Sequence, residues 1–228
     1  MGQITNPRGD GTDRRPCMTD DTETTRNHDV PVSAVAAWRR GERTRLREAR
    51  QALGVDARRT IGQAITGHLR ALLERRFNGA KGRIFSAYWP IKGEPDLRPL
   101  MTDLHGLGVM IALPIVETKA APLVFRRWTP DTKMVRGDWN IPVPPPEADQ
   151  VIPDITLAPL LGWDVRGFRL GYGGGYFDRT LADLDPRPTT IGIGFQAAHL
   201  TTIHPQPHDI PLDIILTEAG VQTKRISP

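Results

Sequence analysis

RLGYGGGYFDR, residues 169–179, carries four glycines in five positions: Gly171, Gly173, Gly174 and Gly175. Glycine permits positive φ and removes every Cβ, so successive backbone N–H groups can converge on an anion. The tract that follows, YFDRTLADL, reads as a helix, which adds a helix N-terminus to the same place. The functional reading is a phosphate site, with Asp178 holding the divalent cation that a polyphosphate brings. The pattern is neither a P-loop nor a dinucleotide fingerprint, because Tyr176 stands where the third glycine would fall. The rival reading is a tight turn or bulge with no ligand.

Outward from this loop, short apolar runs alternate with helical patterns. RIFSAY (83–88), VMIALP (109–114), APLVFRRW (121–128), DITLAP (154–159), TTIGIGF (189–195) and LDIILT (212–217) read as strands. Residues 95–107 read as a helix, and the proline-rich WNIPVPPPE (139–147) as loop, since its prolines lack ladder donors. Upstream, Trp38, Leu46, Ala49 and Leu53 fall at helical spacing and Gly54 supplies a stop. Asp56 is the expected N-cap of a second helix that runs to Phe77 and ends at Asn78–Gly79. This alternation predicts a single α/β domain over residues 36–228, with a largely parallel sheet covered on both faces. Ligands of such sheets sit at the carboxyl ends of strands, where the glycine loop falls. Residues 1–35 are polar, with few large apolar side chains, and predict a disordered tail, within which Met18 is an alternative start.

Composition narrows the class. Of 228 residues, 39% are apolar and 25% charged, ordinary for a globular protein. No apolar run is long enough to span a membrane, and the N-terminus lacks an apolar signal core. The single cysteine, Cys17, excludes an intramolecular disulfide and a cysteine metal cluster. A cytoplasmic protein is expected. The net charge is +4, and the excess is concentrated between Trp38 and Arg59, where eight arginines face three acids. Such a segment suits nucleic acid, a polyphosphate or a polyanionic small molecule.

Arg39, Arg43, Arg47 and Arg50 recur in one helical stripe beside the apolar seam. Like charges one turn apart repel by a few tenths of a kcal/mol, so the stripe either faces an anion or is a solvated face whose repulsion is tolerated. In YWPIKGEPD (88–96), Glu94 either accepts hydrogen bonds from a polar heterocycle or caps the next helix. Trp139 either walls an aromatic pocket or packs as a core lid. His204 and His208 have ligand spacing, but Pro205, Pro207 and Pro211 exclude the helix that a zinc motif needs. Asp209 is either a second hard oxygen ligand beside Asp178 or a turn-forming residue. With no nucleophilic triad, chemistry here has to run on positioning and electrostatics around phosphate.

Taken in order, the blocks RRGERTRLREARQAL, YWPIKGEPDLRPL, IALPIV, DWNIP, LGWDVRGFRLGYGGGYFDRTL, IGIGFQ and PHDIPLDIILTE resemble the 5-formyltetrahydrofolate cyclo-ligase (methenyltetrahydrofolate synthetase) family, over nearly all of the chain beyond the tail. The resemblance implies a single α/β domain with a mixed, mostly parallel sheet between helical layers. It implies ATP- and magnesium-dependent closure of 5-formyltetrahydrofolate to 5,10-methenyltetrahydrofolate, through phosphorylation of the formyl oxygen. By that likeness, nucleotide contacts fall on Arg39, Arg40, Arg43 and on Gly171, Tyr172, Gly173, Gly174, Gly175, Tyr176, Phe177 and Asp178. Magnesium ligands fall on Asp178 and Asp209. Folate contacts fall on Arg43, Trp89, Glu94, Trp139, Tyr172 and Tyr176, and the catalytic set is Arg43, Glu94 and Asp178. The implied partners are small molecules, with no nucleic acid and no membrane, and the expected state is a monomer. Two other readings stay open: a relative acting on another formylated amine or heterocycle, and a basic nucleic-acid-binding module. The chain departs from the family in having Arg39 and Arg40 where lysine is common, which changes a point charge to a planar fork. Phe177 replaces a common tyrosine, and the tail has no counterpart.

Overall fold

The structure, a computed structural model, describes residues 31–224. Two long helices open it, α1 (Val32–Ala52) and α2 (Val55–Phe77). They are followed by β1 (Ile84–Ser86), α3 (Arg98–Gly106), β2 (Met110–Ile115), β3 (Val124–Trp128), β4 (Val135–Arg136), β5 (Pro142–Val143) and β6 (Ile155–Pro159). The remainder is β7 (Gly162–Trp163), β8 (Arg169–Leu170), α4 (Tyr176–Asp183), β9 (Thr189–Ile193), β10 (Ile214–Thr217) and β11 (Gly220–Lys224).

Seven strands form one sheet in the order β11-β10-β9-β6-β1-β2-β3. The run from β10 to β2 is parallel throughout, and the two edge strands are antiparallel. Alternate side chains of each strand enter different cores, as the strand period requires. Leu157, Ile214 and Leu216 pack with α2 and α3, beside Leu69, Leu73, Leu100 and Leu104. Ala158 and Ile215 pack on the other face with Leu46 of α1 and Leu181 of α4. This is the expected mixed, mostly parallel sheet between helical layers.

The chain leaves β1 toward β2 on one side and returns to β6 on the other. Strand order therefore reverses between β1 and β6, and a crevice opens there at the carboxyl ends.

Several local expectations change. Helix α1 begins at Val32, ahead of the boundary expected at residue 36, because Val35 is already buried; the expected tail over residues 1–30 lies outside the described residues. Gly54, not Asp56, takes the N-cap of α2, and Asp56 sits in the first turn, where its charge suits the helix dipole. The stop at Asn78 holds: it is left-handed and its N–H reaches the Leu73 carbonyl. The proline-rich stretch is not wholly loop. Pro142 and Val143 pair antiparallel with Arg136 and Val135, a two-stranded ribbon in which the missing proline donor can face outward. The β7–β8 hairpin and β11 were not visible in the strand pattern.

Candidate active site

The β7–β8 hairpin positions the glycine loop. Its turn is organised by Asp164, fully buried, whose carboxylate accepts the N–H groups of Arg166, Phe168 and Ile203 at 3.0, 3.2 and 3.3 Å. Strand β8 then delivers the chain at Gly171 into the crevice. Gly173 (φ +97°) and Gly175 (φ +65°) use backbone that other residues rarely adopt, and Gly175 is the N-cap of α4. The N-cap makes no side-chain hydrogen bond to that helix, and its first residues, Tyr176 and Phe177, line the crevice.

Around the loop lies a cavity of about 430 Å³. Its walls come from Tyr88 and Trp89 after β1, Pro114 of β2, Pro159 at the end of β6, the arginine face of α1 and all of the residues 171–178.

Of the arginines, Arg39, Arg43 and Arg47 line this cavity. Arg39 is buried and committed: Nε donates to the Ile203 carbonyl at 3.0 Å, Nη2 to that of His204 at 2.8 Å, and it pairs with the Asp209 carboxylate. Arg43 is half-buried and donates through Nε to the Gly171 carbonyl at 2.9 Å, which joins the arginine stripe to the glycine loop. Burial, and then the neighbouring Arg39, lower its pKa from the usual guanidinium value. Among the described residues no ion pair within 4 Å involves Arg40, Arg43 or Arg47, and Arg43 feels Arg39 and Arg40 against Asp209. Arg40 is exposed, is absent from the lining of the main cavity, and lines an adjoining one of about 380 Å³ with Arg43, Thr44 and Arg47.

Asp178 and Asp209 both line the main cavity. Asp178 Oδ1 accepts the Ile210 N–H at 3.0 Å and lies 3.0 Å from Nη2 of Arg169. Asp209 accepts the Gln206 N–H at 2.6 Å as well as Arg39, and although burial opposes it, these contacts hold its pKa below the usual carboxylate range. No group of three or more His, Cys, Asp or Glu side chains suited to a metal occurs among the described residues. Two carboxylates do suit a magnesium ion that takes its other ligands from phosphate and water.

Another part of the lining is built on Glu94, only 8% exposed. It does not cap α3; Asp96 accepts the Arg98 N–H instead, at 3.1 Å. Glu94 turns back, Oε2 accepting the Ile91 N–H at 3.0 Å and Oε1 the Tyr172 hydroxyl at 2.7 Å. Burial raises its pKa against these hydrogen bonds, and burial likewise raises that of Tyr172. Trp139 is no core lid. It is 66% exposed, at φ +53°, and meets the Tyr176 ring edge-on with centroids 5.7 Å apart. Trp89 is half-buried, with the Arg98 guanidinium 5.3 Å from its ring centroid. Phe177 packs against the core beneath α4 while still touching the cavity.

Two cationic lining residues were not among the candidates expected from the sequence. Arg169 is buried beside Asp178, and Lys92 places Nζ 5.5 Å from the Tyr172 ring centroid. Both stand inside the quoted motifs, but nothing in their spacing marked them.

An α/β protein with a cationic, glycine-lined cavity at the switch point of a mostly parallel sheet is the class that this geometry defines. The model described as the 5-formyltetrahydrofolate cyclo-ligase family matches residues 35–218, and the chain belongs to that family. It is 30% identical to the 5-formyltetrahydrofolate cyclo-ligase of Haemophilus influenzae over 76% of this chain and 94% of that protein. With the enzyme of the same name from Mycolicibacterium smegmatis the identity is 31%, over 70% and 87%. Among solved structures, the 5,10-methenyltetrahydrofolate synthetase of Aquifex aeolicus superposes with a TM-score of 0.69 at 25% identity, covering 83% of this chain and 94% of that one. A Mycoplasma pneumoniae synthetase shares the fold with a TM-score of 0.65 at 22% identity, covering 79% and 98%.

Proposed function

We propose that this protein closes 5-formyltetrahydrofolate to 5,10-methenyltetrahydrofolate at the expense of ATP. The observation that carries the reading is the contact of Arg43 with the Gly171 carbonyl. It makes one cationic wall of helix α1 and the glycine loop, and Glu94, bonded to Tyr172 of that same loop, lines the cavity beside it.

The triphosphate belongs on the cationic side. There Arg43 and Arg47 supply charge, and the bare loop and the N-terminus of α4 supply backbone donors. Asp178 and Asp209 would hold magnesium, which neutralises phosphate charge. The folate belongs in the same cavity with its heterocycle among Trp89, Trp139 and Tyr176 and with Glu94 accepting from its N–H groups.

A formyl amide oxygen is a weak nucleophile, so the protein's contribution is placement. The oxygen attacks the γ-phosphorus as ADP leaves, and Arg43 meets the developing charge. The neighbouring folate nitrogen then attacks the formyl carbon and loses its proton, and phosphate departs with the former formyl oxygen. The protein is read as a cytoplasmic monomer with small-molecule partners only. No helix among the described residues is long and apolar enough to cross a membrane.

The test is spectroscopic. Purified protein with 5-formyltetrahydrofolate, magnesium and ATP should develop the near-ultraviolet methenyl absorbance, and should not without ATP. Folded protein that forms no product refutes the reading. ATP hydrolysis stimulated by a different formyl compound would instead assign it to a diverged relative.

A further inference from the structure

Arg50, the last arginine of the α1 stripe, stands behind the cavity wall. It is 5% exposed, and its Nε is buried without a hydrogen-bond partner. A buried guanidinium with an idle N–H is costly, and stability alone does not account for it. Its Nη2 donates to the Tyr172 hydroxyl, and that hydroxyl donates to Glu94 Oε1 at 2.7 Å.

A phenol has one proton to give. With Arg50 on the acceptor side of Tyr172, that proton is committed to Glu94. The Ile91 N–H fills a site on the other carboxylate oxygen, so the Glu94 plane is fixed from two directions. We propose that Arg50 is a positioning residue for the folate side of the reaction: through the Tyr172 hydroxyl it orients the Glu94 carboxylate and keeps it a hydrogen-bond acceptor.

The other groups facing Glu94 do not substitute for it. Tyr88 spends its proton on the Pro95 carbonyl at 3.1 Å, and Asp96 is paired with Arg98. Lys92 is exposed, so water screens its charge. Arg50 is the buried cation that opposes the effect of burial on Glu94.

The choice of heterocycle rests on the function proposed above, but the arrangement is testable without turnover. In full-length protein labelled with 13C at glutamate side-chain carboxyls, the Glu94 signal is identified by its loss in Glu94→Gln. Arg50→Met should raise its titration midpoint by about one pH unit, and Arg50→Lys by much less, because it keeps the charge. In a Tyr172→Phe background the effect of Arg50→Met should shrink by about half, the hydrogen-bonded link being gone. In the methenyl absorbance assay at mildly acidic pH, Arg50→Met should raise KM for 5-formyltetrahydrofolate about tenfold and leave KM for ATP unchanged. An unmoved midpoint, or equal losses in both KM values, overturns the proposal. If Arg50→Met does not fold, Tyr172→Phe decides the matter: it removes the link to Glu94 and should raise the same midpoint, and an unmoved midpoint there overturns the proposal. Absence of turnover alongside a shifted midpoint would refute the proposed reaction and leave the role of Arg50 standing.

Discussion

Gly174→Ala tests the aromatic wall, because Tyr176 is the side chain that an added Cβ in the glycine loop would meet there. Gly174 has no left-handed backbone, so alanine there costs nothing in φ. Its Cβ, however, would lie 2.7 Å from two carbons of the Tyr176 ring. Ordinary contact begins at 3.4 Å, so the ring has to retreat by about 0.7 Å. Three contacts now hold that ring: the edge of Trp139, the Arg179 guanidinium 5.3 Å from its centroid, and the Ala120 N–H at 3.4 Å from its hydroxyl. Aromatic and cation–π contacts at partly exposed sites are each worth about 0.5–1.5 kcal/mol. Loss of one to two such contacts from the folate wall amounts to roughly tenfold in affinity. The expected result is a KM for 5-formyltetrahydrofolate raised about tenfold, with KM for ATP within about twofold of wild type. Tyr176 is only partly buried, so the melting temperature should move by no more than a few degrees. An unchanged folate KM in the folded variant would show that Tyr176 is not part of the binding wall.

Asp178→Ala removes the acid 3.0 Å from the buried Arg169 and the acceptor of the Ile210 N–H, so its loss of activity should come with a destabilisation of about 3 kcal/mol. Asp178→Asn keeps an acceptor for Ile210; denaturant melts should place it between Ala and wild type, with turnover and the stabilisation by magnesium–ATP lost in both. Glu94 binds its proton more tightly folded than unfolded, so it costs stability as pH rises from the ordinary carboxylate range through its raised value. Glu94→Gln should therefore gain in melting temperature relative to wild type from acid to neutral pH, while its folate KM worsens; a pH-independent difference would refute the raised value. Gly192→Ala would put a Cβ 2.5 Å from Leu160 Cδ2 and 2.7 Å from Leu212 Cδ1, inside the core. About 1–3 kcal/mol should be lost in denaturant melts, with the Michaelis constants of the folded fraction unchanged.

What the sequence shows depends on whether the information is local. Strands β1, β2, β6, β9 and β10 are buried on both sides, so their continuous apolar runs declare them. Strand β11 alternates weakly and is largely exposed, and the β7–β8 hairpin has two residues a side, so neither rises above the pattern of a loop. The site divides the same way. The glycine loop and the arginine stripe are each contiguous, and their chemistry is legible before any fold is known. What Arg39 does is not, because its partners Ile203, His204 and Asp209 lie more than 160 residues away. The stripe reads from sequence as either facing an anion or a tolerated solvated face, and the structure divides it into three roles. Arg39 is consumed internally, Arg43 and Arg47 line the main cavity without an ion pair, and Arg50 is buried against the Tyr172 hydroxyl. A helix whose cations face unlike surroundings cannot be assigned as a unit from its periodicity. Only the pairing of each guanidinium separates a residue that holds the fold from one left for an anion: Arg39 is of the first kind, and Arg43, whose Nε reaches the Gly171 carbonyl while no carboxylate pairs with it, is of the second.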